Sequence, residues 1–284
     1  MRFSCVLRHL KMPNNLSSTY SDLATKYESG TGGATRKIAR ECVNMAPNLT
    51  SESVVHDNAC GPAIVTSVIM SKNIRPIIHA TDFSSGMVGV AKEISQANGW
   101  DNVKCEEMDG QNLSFQDDFF THSFSCLGVF LFPDSKKGVA EMYRTLRPNG
   151  WACFSSMKDP VWPSVAERVY KARNPDGEKS LQLIQTPGWN EKASIEGILS
   201  GAGFRNVSVT EVSATFQYAD VATGRSIWYG QLKAFSPVLR DLNEQAYESY
   251  FAQFWEEYTK NHSRLTDDGK IEFGLSAWVS HGTK

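Results

Sequence analysis

Short apolar runs alternate with stretches of helical periodicity from about residue 53 to residue 212. This alternation is typical of βαβ units, in which a helix connects two parallel strands. The predicted strands cover residues 53–56, 76–81, 103–108, 122–127, 151–157 and 204–212. The pattern therefore predicts an α/β core with a mainly parallel sheet.

Two parts of the chain lie outside this pattern. Residues 16–45 are predicted to be helical, and residues 218–265 are rich in aromatic side chains and helix-like around 245–258. Residues 271–281 alternate apolar and polar side chains as a final strand would. We expect a helical lid inserted before the last strand. The predicted division is an N-terminal extension and helical cap (1–48), a core (49–217), a lid (218–268) and a final core strand (269–284).

Individual residues predict where elements begin. Pro62 is expected to be the first residue of a helix, where its missing N–H costs nothing. Ser84 and Asp134 are predicted to cap the helices that follow them. Residues 147–150 are predicted to form a turn before the fifth strand.

Composition narrows the function classes. The chain has 284 residues and a formal net charge of −2, without the basic surface that nucleic acid requires. No apolar stretch is long enough to span a bilayer. The first eleven residues are too short and too charged for a secretory signal, and are expected to be a small extension. The six cysteines are dispersed. We therefore expect a cytoplasmic protein without a disulfide framework or a metal site.

The strongest local motif follows the first predicted strand. Asp57 ends that strand, and a turn containing Ala59 and Gly61 leads into a helix. Small residues let a ligand approach the backbone, and a carboxylate at this place suits a ligand that carries an ammonium group. The alternative is a tight structural loop, because alanine occupies positions where glycine is commoner.

A second acidic residue, Asp82, ends the next strand. A carboxylate there can accept hydrogen bonds from both hydroxyls of a ribose. The alternative role is a helix cap, which Ser84 also supplies. Met87, one helical turn further, can pack on an adenine ring or simply in the core.

Asp109 and Gly110 follow the third strand. The Asp109 side chain can accept a hydrogen bond from an adenine amino group, or the pair can form an ordinary Asp-Gly turn. Three such turns at the carboxyl ends of successive strands lie at the edge where open α/β sheets bind ligands.

These motifs together resemble those of class I S-adenosyl-L-methionine (SAM)-dependent methyltransferases. Residues 57–61 resemble the first motif, Asp82 the ribose-binding acid, Asp109-Gly110 the adenine turn, and residues 146–151 the turn before strand five. Residues 16–39, 57–61 and 132–134 most resemble fungal secondary-metabolite methyltransferases, including the gliotoxin bis-thiomethyltransferase and indole-alkaloid hydroxamate O-methyltransferases. The resemblance implies a Rossmann-like seven-stranded sheet and SAM as the cofactor.

The resemblance also implies further contacts with the cofactor. Tyr20 or Tyr27 is expected to close over it with an aromatic ring near the sulfonium, and the alternative is that both tyrosines simply face the core. Phe83 and Cys126 complete the expected cofactor-binding set. With Asp57 expected at the methionine ammonium, this set is Tyr20, Tyr27, Asp57, Ala59, Gly61, Asp82, Phe83, Met87, Asp109, Gly110 and Cys126.

The acceptor side is less specific. Asp159 follows strand five and can orient or deprotonate an acceptor, or it is a turn residue before a proline. The predicted substrate contacts are Phe130, Trp162, Trp228 and Tyr229. Aromatic side chains in the lid region favour a flat aromatic or heterocyclic small molecule.

Three kinds of activity remain open from the sequence. The favoured one is methylation of a hydroxyl or N-hydroxyl oxygen in an alkaloid-like metabolite, and methylation of a small dithiol is the nearest alternative. A cyclase that uses the same fold is a third. The absence of Gly-x-Gly-x-x-Gly argues against a nicotinamide oxidoreductase. We expect a monomer or homodimer that acts on a small molecule.

Overall fold

The computed structural model describes residues 14–175, 177, 180, 181, 183 and 188–284, so the predicted extension at residues 1–11 lies outside the described residues. The strands are β1 (Val54–Asn58), β2 (Ile77–Asp82), β3 (Val103–Glu107), β4 (Phe120–Ser125), β5 (Leu146–Met157), β6 (Arg205–Tyr218), β7 (Ser263–Leu265) and β8 (Ile271–Thr283). The α-helices are α1 (Asn14–Leu23), α2 (Tyr27–Gly30), α3 (Ala34–Asn44), α4 (Ile64–Met70), α5 (Ser85–Ala97), α6 (Ser135–Thr145), α7 (Val161–Arg173), α8 (Lys192–Gly201), α9 (Val221–Phe235), α10 (Pro237–Arg240) and α11 (Glu244–His262).

The strands form one sheet in the order β3-β2-β1-β4-β5-β8-β6, with the short β7 paired to β8. The pairs from β3 to β5 are parallel, whereas β8 runs antiparallel to both β5 and β6. Most residues of β1, β2 and β4 are buried, because helices cover both faces of the central sheet. The predicted Rossmann-like seven-stranded fold is confirmed.

Several predicted boundaries can be compared directly. Ser84 accepts a hydrogen bond from the Met87 amide and Asp134 accepts one from the Lys137 amide, which confirms both caps. The predicted turn at residues 147–150 loops out between two paired segments of β5. Pro62 is not the first helical residue, because the chain is still turning at Ala63.

The N-terminal region is helical as predicted, but it is not continuous. Gly32 and Gly33 have positive φ values of 51° and 75°, and they separate α2 from α3. The Gly32 carbonyl accepts a hydrogen bond from the Gln217 amide at 3.1 Å, so this turn is attached to β6. A side chain at Gly32 would come within 2.5 Å of that amide, which explains the glycine.

The lid has an aromatic core of its own. Side chains from α7, α9, α11 and the end of the β6–β8 pair bury one another, including Trp228, Tyr250, Phe254 and Phe273. Strand β6 reaches Tyr218 rather than residue 212, because β8 pairs with it as far as Ile271. The extended antiparallel pair therefore connects the sheet to the lid helices. The division of the chain into cap, core and lid at the stated residue numbers stays a prediction.

Within the described part of the chain, we find no helix with the length and apolar character needed to cross a membrane.

Candidate active site

A cavity lies at the carboxyl ends of β1, β2 and β4, and it encloses about 460 Å³, part of which opens to solvent. Segments that directly follow the strands form its floor, and the N-terminal helices form its roof. Its lining consists of Tyr20, Tyr27, Ala59, Gly61, Asp82, Phe83, Met87, Cys126, Leu127, Gly128, Leu131 and Phe132. Eight of these are residues that the sequence placed at the cofactor: Tyr20, Tyr27, Ala59, Gly61, Asp82, Phe83, Met87 and Cys126. We call this the cofactor cavity.

The turn after β1 has an unusual backbone. Ala59, Gly61 and Ala63 have φ values of 57°, 54° and 61°, so two alanines adopt the left-handed conformation that glycine favours. This turn directs the Gly61 amide toward Asp82, to which it donates a hydrogen bond at 2.9 Å. The alanines therefore do not prevent the glycine-like path that the sequence motif implies.

Asp82 is the acidic group of the cavity. Its two carboxylate oxygens accept hydrogen bonds from the Gly61 amide and from the Ser84 amide, each at 2.9 Å. Burial raises the pKa of Asp82 to about 6, although these amide donors favour the ionised form. The carboxylate is thus held rigidly at the end of β2, with remaining acceptor capacity for hydroxyl donors.

Asp57 has a different environment. Its carboxylate accepts hydrogen bonds from the amide of Thr66 at 3.0 Å and from the hydroxyl of Thr66 at 2.7 Å, near the beginning of α4. Burial raises the pKa of Asp57 to about 6, and the neighbouring charge of Asp82 contributes in the same direction. Asp57 is outside the cavity lining and anchors α4. Its contact with a ligand ammonium stays a prediction.

The Asp109-Gly110 turn does not line the cavity. The Asp109 carboxylate accepts hydrogen bonds from the Gln111 amide and side chain at 2.9 and 3.0 Å. A side chain on Gly110 would come within 2.6 Å of the Phe132 ring, which itself lines the cavity. This close packing requires glycine at position 110. The adenine contacts expected of both residues stay predictions.

Four lining residues were absent from the predicted cofactor set: Leu127, Gly128, Leu131 and Phe132. They follow β4, where the chain bends into a short 3-10 helix at Val129–Leu131. A Cβ on Gly128 would lie 2.6 Å from the Cβ of Ala59, so glycine lets the two turns approach closely. The resemblance at residues 132–134 was the available signal for this segment.

A second, larger cavity adjoins the first and encloses about 1010 Å³, including its open mouth. Most of its lining is apolar. The lining residues are Tyr20, Leu23, Lys26, Tyr27, Thr31, Thr35, Leu127, Phe130, Leu131, Met157, Pro160, Trp162, Pro163, Phe216, Trp228, Gln231, Leu232, Phe235 and Leu275. We call this the acceptor cavity. It shares Tyr20, Tyr27, Leu127 and Leu131 with the cofactor cavity.

Three of the four predicted substrate contacts line this cavity, namely Phe130, Trp162 and Trp228. The fourth, Tyr229, lies outside the lining. Its hydroxyl donates a hydrogen bond to Glu244, and the centroid of its ring lies 4.7 Å from that of Tyr247. Consecutive helical residues point about 100° apart. One of the two neighbours on α9 therefore faces the cavity, and the other packs within the lid.

Asp159, the predicted catalytic residue, is exposed and is likewise outside the lining of both cavities. Its catalytic role is a prediction that receives no support from this position. Among the described lining residues of the acceptor cavity, none is a histidine or a carboxylate. The described lining therefore offers neither an imidazole nor a carboxylate as a base, and Lys26 is its one ionisable amine.

The acceptor-cavity residues that the sequence did not single out come from distant parts of the chain. Thr31 and Thr35 flank the glycine turn, while Phe216 and Leu275 lie on the extended β6–β8 pair. No local motif connects these positions. The Gly32-Gly33 pair was a usable signal in the sequence. It indicates that the helical region breaks between Thr31 and Thr35.

The cofactor cavity can be tested for its fit to SAM by the chemistry of its residues. Asp82 offers acceptors for ribose hydroxyls, and apolar side chains such as Phe83 and Met87 offer surface for a flat ring. Two tyrosine rings face a region without basic lining side chains, which suits a sulfonium cation. The buried side-chain amide nitrogen of Asn58, at the end of β1, has no hydrogen-bond partner among the described residues. It therefore has N–H groups that could donate to a ligand. The residues fit the molecule.

Comparison with known proteins agrees with this geometry. Residues 56–154 match the family model described as a methyltransferase domain. The chain is 27% identical over 169 residues to methyltransferase tpcH of Aspergillus fumigatus, a match that covers 56% of this chain and 60% of tpcH. It is 26% identical to methyltransferase ktnA of Aspergillus niger, covering 69% of this chain and 74% of ktnA. It is also 28% identical to a demethylmenaquinone methyltransferase of Desulfitobacterium hafniense, covering 54% and 60%.

Solved structures show the same fold. The [4+2]-cyclase SpnF matches with a TM-score of 0.60 at 14% identity, covering 95% of this chain and 97% of SpnF. The phosphoethanolamine N-methyltransferase 2 of Haemonchus contortus, solved with SAM, matches with a TM-score of 0.55 at 16% identity, covering 93% of this chain and 59% of that one. At these identities the likeness is one of fold.

Proposed function

We propose that this chain, whose residues 56–154 match a methyltransferase domain, uses SAM to methylate a hydroxyl or N-hydroxyl oxygen of a small aromatic or alkaloid-like molecule. The observation that carries the proposal is the pair of adjoining cavities. One has an acidic group and backbone turns at the sheet edge, and the other is large, apolar and aromatic. Their four shared residues mark where a methyl group would pass.

In this proposal several residues of the cofactor cavity each have a role. Asp82 would accept hydrogen bonds from the ribose hydroxyls, and Phe83, Met87 and Phe132 would contact the adenine. The rings of Tyr20 and Tyr27 would lie near the sulfonium, where cation–π attraction is worth about 0.5–2 kcal/mol. SAM supplies a methyl group on a cationic sulfur, which an in-line nucleophile can take.

The acceptor cavity favours a nucleophile that needs little help from a base. Its described lining has no carboxylate or histidine, so a weakly acidic alcohol would have neither of these common bases to remove its proton. Phenols and hydroxamates ionise readily, and holding such an oxygen in line with the S–CH₃ bond can contribute about 7–11 kcal/mol. Flat aromatic acceptors also match walls built from Phe130, Trp162 and Trp228.

A thiol acceptor meets the same requirement, because thiols ionise more easily than alcohols. S-methylation is therefore the second candidate for this cavity. The names of two similar proteins add two further activities that the assay should be able to detect. One relative is named a demethylmenaquinone methyltransferase, and one structural neighbour is named a [4+2]-cyclase.

The purified protein should be incubated with methyl-labelled SAM and a panel of phenols, hydroxamates, thiols and quinols of similar size. Mass spectrometry then identifies which atom carries the label, and S-adenosylhomocysteine is measured in parallel. Asp82→Asn serves as the control with impaired cofactor binding. We expect labelled O-methyl products. Label on sulfur or carbon only, or SAM binding without any transfer, would reject the proposed acceptor class.

A further inference from the structure

The lining of the acceptor cavity carries one charged side chain, Lys26, among the residues that the structure describes. Its other polar lining residues supply hydroxyls, an amide and indole N–H groups, namely Tyr20, Tyr27, Thr31, Thr35, Trp162, Trp228 and Gln231. Burial raises the pKa of Tyr20, and it raises the pKa of Tyr27 to about 12, so both phenols are uncharged at neutral pH. A small molecule in this cavity therefore meets one cation and no anion from the described lining.

Lys26 has no ionic partner within the described part of the chain. Its side chain is exposed, and it makes no cap hydrogen bond to α2, the helix that follows it. The acidic residue of α2, Glu28, is instead bound by Arg36, whose guanidinium contacts both carboxylate oxygens. The ammonium group of Lys26 is therefore available to a ligand.

Gln231 lies beside the other end of α2. A Cβ built on Gly30, the last residue of this helix, would come within 2.5 Å of the side-chain amide nitrogen of Gln231. Because α2 has four residues, it is about 6 Å long. Lys26 directly precedes α2, so an ammonium group and an amide group flank a single helical turn, and both residues line the acceptor cavity. The two groups can donate hydrogen bonds to the two oxygens of one carboxylate.

We propose that Lys26 and Gln231 bind a carboxylate of the acceptor, so that the enzyme selects aromatic hydroxy acids over neutral phenols. This inference rests on the proposed function, and it narrows the small aromatic acceptor to an anionic one. Aromatic side chains such as Phe130 and Trp162 hold the ring of the acceptor. Its hydroxyl lies toward the four residues that the two cavities share. The carboxylate is an anchor, and the hydroxyl oxygen takes the methyl group.

The position of Lys26 favours the acceptor over the cofactor as its partner. Lys26 belongs to the lining of the acceptor cavity and is outside the lining of the cofactor cavity. An ion pair in open solvent contributes little, but a carboxylate held partly within an apolar cavity gains more from a charged donor. The sulfonium proposed beside Tyr20 and Tyr27 would add a second positive charge that attracts an anionic acceptor.

Two ligands of the same shape test this charge preference. They are 6-hydroxy-2-naphthoate, which carries a carboxylate, and 6-hydroxy-2-naphthamide, which is neutral. Isothermal titration calorimetry measures their binding to the full chain saturated with S-adenosylhomocysteine, so the measurement needs no methyl transfer. We expect the wild type to bind the acid about tenfold more tightly than the amide, because only the acid forms a charge-assisted pair with Lys26.

Three variants examine Lys26. Lys26→Met removes the charge and keeps an unbranched side chain, whereas Lys26→Arg keeps the charge. Lys136→Met is the matched control, because Lys136 is an exposed lysine of α6 that lies outside the lining of both cavities. We expect Lys26→Met to weaken binding of the acid about tenfold and binding of the amide no more than about threefold. Lys26→Arg should retain the preference for the acid, and Lys136→Met should behave as the wild type.

Gln231→Leu should have a different signature. The Gln231 amide N–H can donate to a carboxylate oxygen and equally to the carbonyl oxygen of the neutral amide. Loss of this hydrogen bond should therefore weaken binding of both ligands to a similar degree, about 2- to 10-fold. A selective loss for the acid in Lys26→Met together with a similar loss for both ligands in Gln231→Leu supports the assigned roles.

Several results would overturn the proposal. These are a wild type that does not prefer the acid, equal weakening of acid and amide in Lys26→Met, and the same loss in Lys136→Met. Weaker binding of S-adenosylhomocysteine in Lys26→Met would also overturn it, since Lys26 would then serve the cofactor. With methyl-labelled SAM, label on the carboxylate instead of the hydroxyl excludes the anchor role. A charge preference that depends on Lys26, without methyl transfer, rejects the proposed reaction and leaves this inference intact.

Discussion

The cofactor cavity and the acceptor cavity share four residues but are built in different ways. Short segments that follow three neighbouring strands form most of the cofactor cavity, and its polar contacts involve backbone amides and Asp82. Side chains from several helices and from the β6–β8 pair form the acceptor cavity. Turn geometry thus dominates one site and side-chain packing the other. A change on one side should therefore leave binding on the other side largely intact.

The largest expected effect is that of Asp82→Asn on the cofactor side. The variant loses a charged acceptor for the ribose hydroxyls, at about 1.5–3 kcal/mol, so SAM affinity should fall about 10- to 150-fold. Isothermal titration calorimetry measures this affinity. Glu107→Gln is the matched control, because Glu107 pairs with Asp82 in the sheet register but is exposed. Equal losses in the two variants would show that the effect is not specific to the cavity.

The pH dependence of SAM binding should follow the same carboxyl group. Burial raises the pKa of Asp82 to about 6, and the ionised form is the better acceptor for hydroxyls. Affinity for SAM should thus be about tenfold weaker at pH 5 than at pH 8, because about nine-tenths of the group is protonated one unit below its pKa. For the protein without ligand, the effect of pH on folding stability runs in the opposite direction. A raised carboxyl pKa contributes stability at acid pH that is lost as the pH rises through about 6.

Asp57 serves to separate the two acids in this experiment, because burial raises its pKa to about 6 as well. Asp57→Asn should keep the pH dependence of SAM affinity, whereas Asp82→Asn should abolish it. Affinity that is constant from pH 5 to pH 8 in the wild type would contradict this assignment. A dependence that disappears only in Asp57→Asn would transfer the role to Asp57.

The difference between the cavities also explains what could be predicted from the sequence. Asp82, Gly61 and Met87 follow strands whose alternation with helices is readable, and sheet topology then brings strand ends together. Even the alanines at positions 59 and 63 were recognisable as replacements for glycine. The fold class followed from the same regular pattern, whereas element boundaries such as those at Pro62 and Tyr218, and the break of the N-terminal helical region at Gly32-Gly33, differed from the prediction.

The acceptor cavity could not be assembled in that way. Thr35, Phe216 and Gln231 are far apart in the chain, and only the packing of α3, β6 and α9 brings them to one cavity. Aromatic richness indicated a lid but not which side chains face the cavity. Trp228 and Tyr229 are consecutive aromatic residues, and helix rotation alone separates their roles.

These neighbours provide the next test. Trp228→Leu removes an aromatic wall of the acceptor cavity and should raise KM for an aromatic acceptor about 3- to 10-fold, since aromatic contacts are worth about 0.5–1.5 kcal/mol beyond their buried area. Tyr229→Leu removes a lid contact with Glu244 and should change KM less than twofold. Steady-state kinetics at saturating SAM measures both values. A larger effect on KM in Tyr229→Leu would mean that the lid rotates α9 when the acceptor binds.

The smallest expected effect concerns two glycines with the same backbone. Gly61 and Gly99 have φ values of 54° and 64°, and a Cβ built on either meets no atom within 4 Å. Alanine should therefore cost about 1–2 kcal/mol at each position, which is the penalty for a left-handed conformation. Each kcal/mol of this penalty should lower Tm by about 2–4 °C.

Only one of these glycines lines the cofactor cavity, and this difference makes the pair informative. Gly61 directs its amide to Asp82, whereas Gly99 follows the end of α5. We expect Gly61→Ala and Gly99→Ala to lower Tm equally in thermal denaturation, but only Gly61→Ala to weaken SAM binding. Because Ala59 and Ala63 already tolerate this conformation, Gly61→Ala should fold. If both variants bind SAM as the wild type does, the turn after β1 contributes only its backbone path, and the close approach of a ligand to Gly61 is refuted.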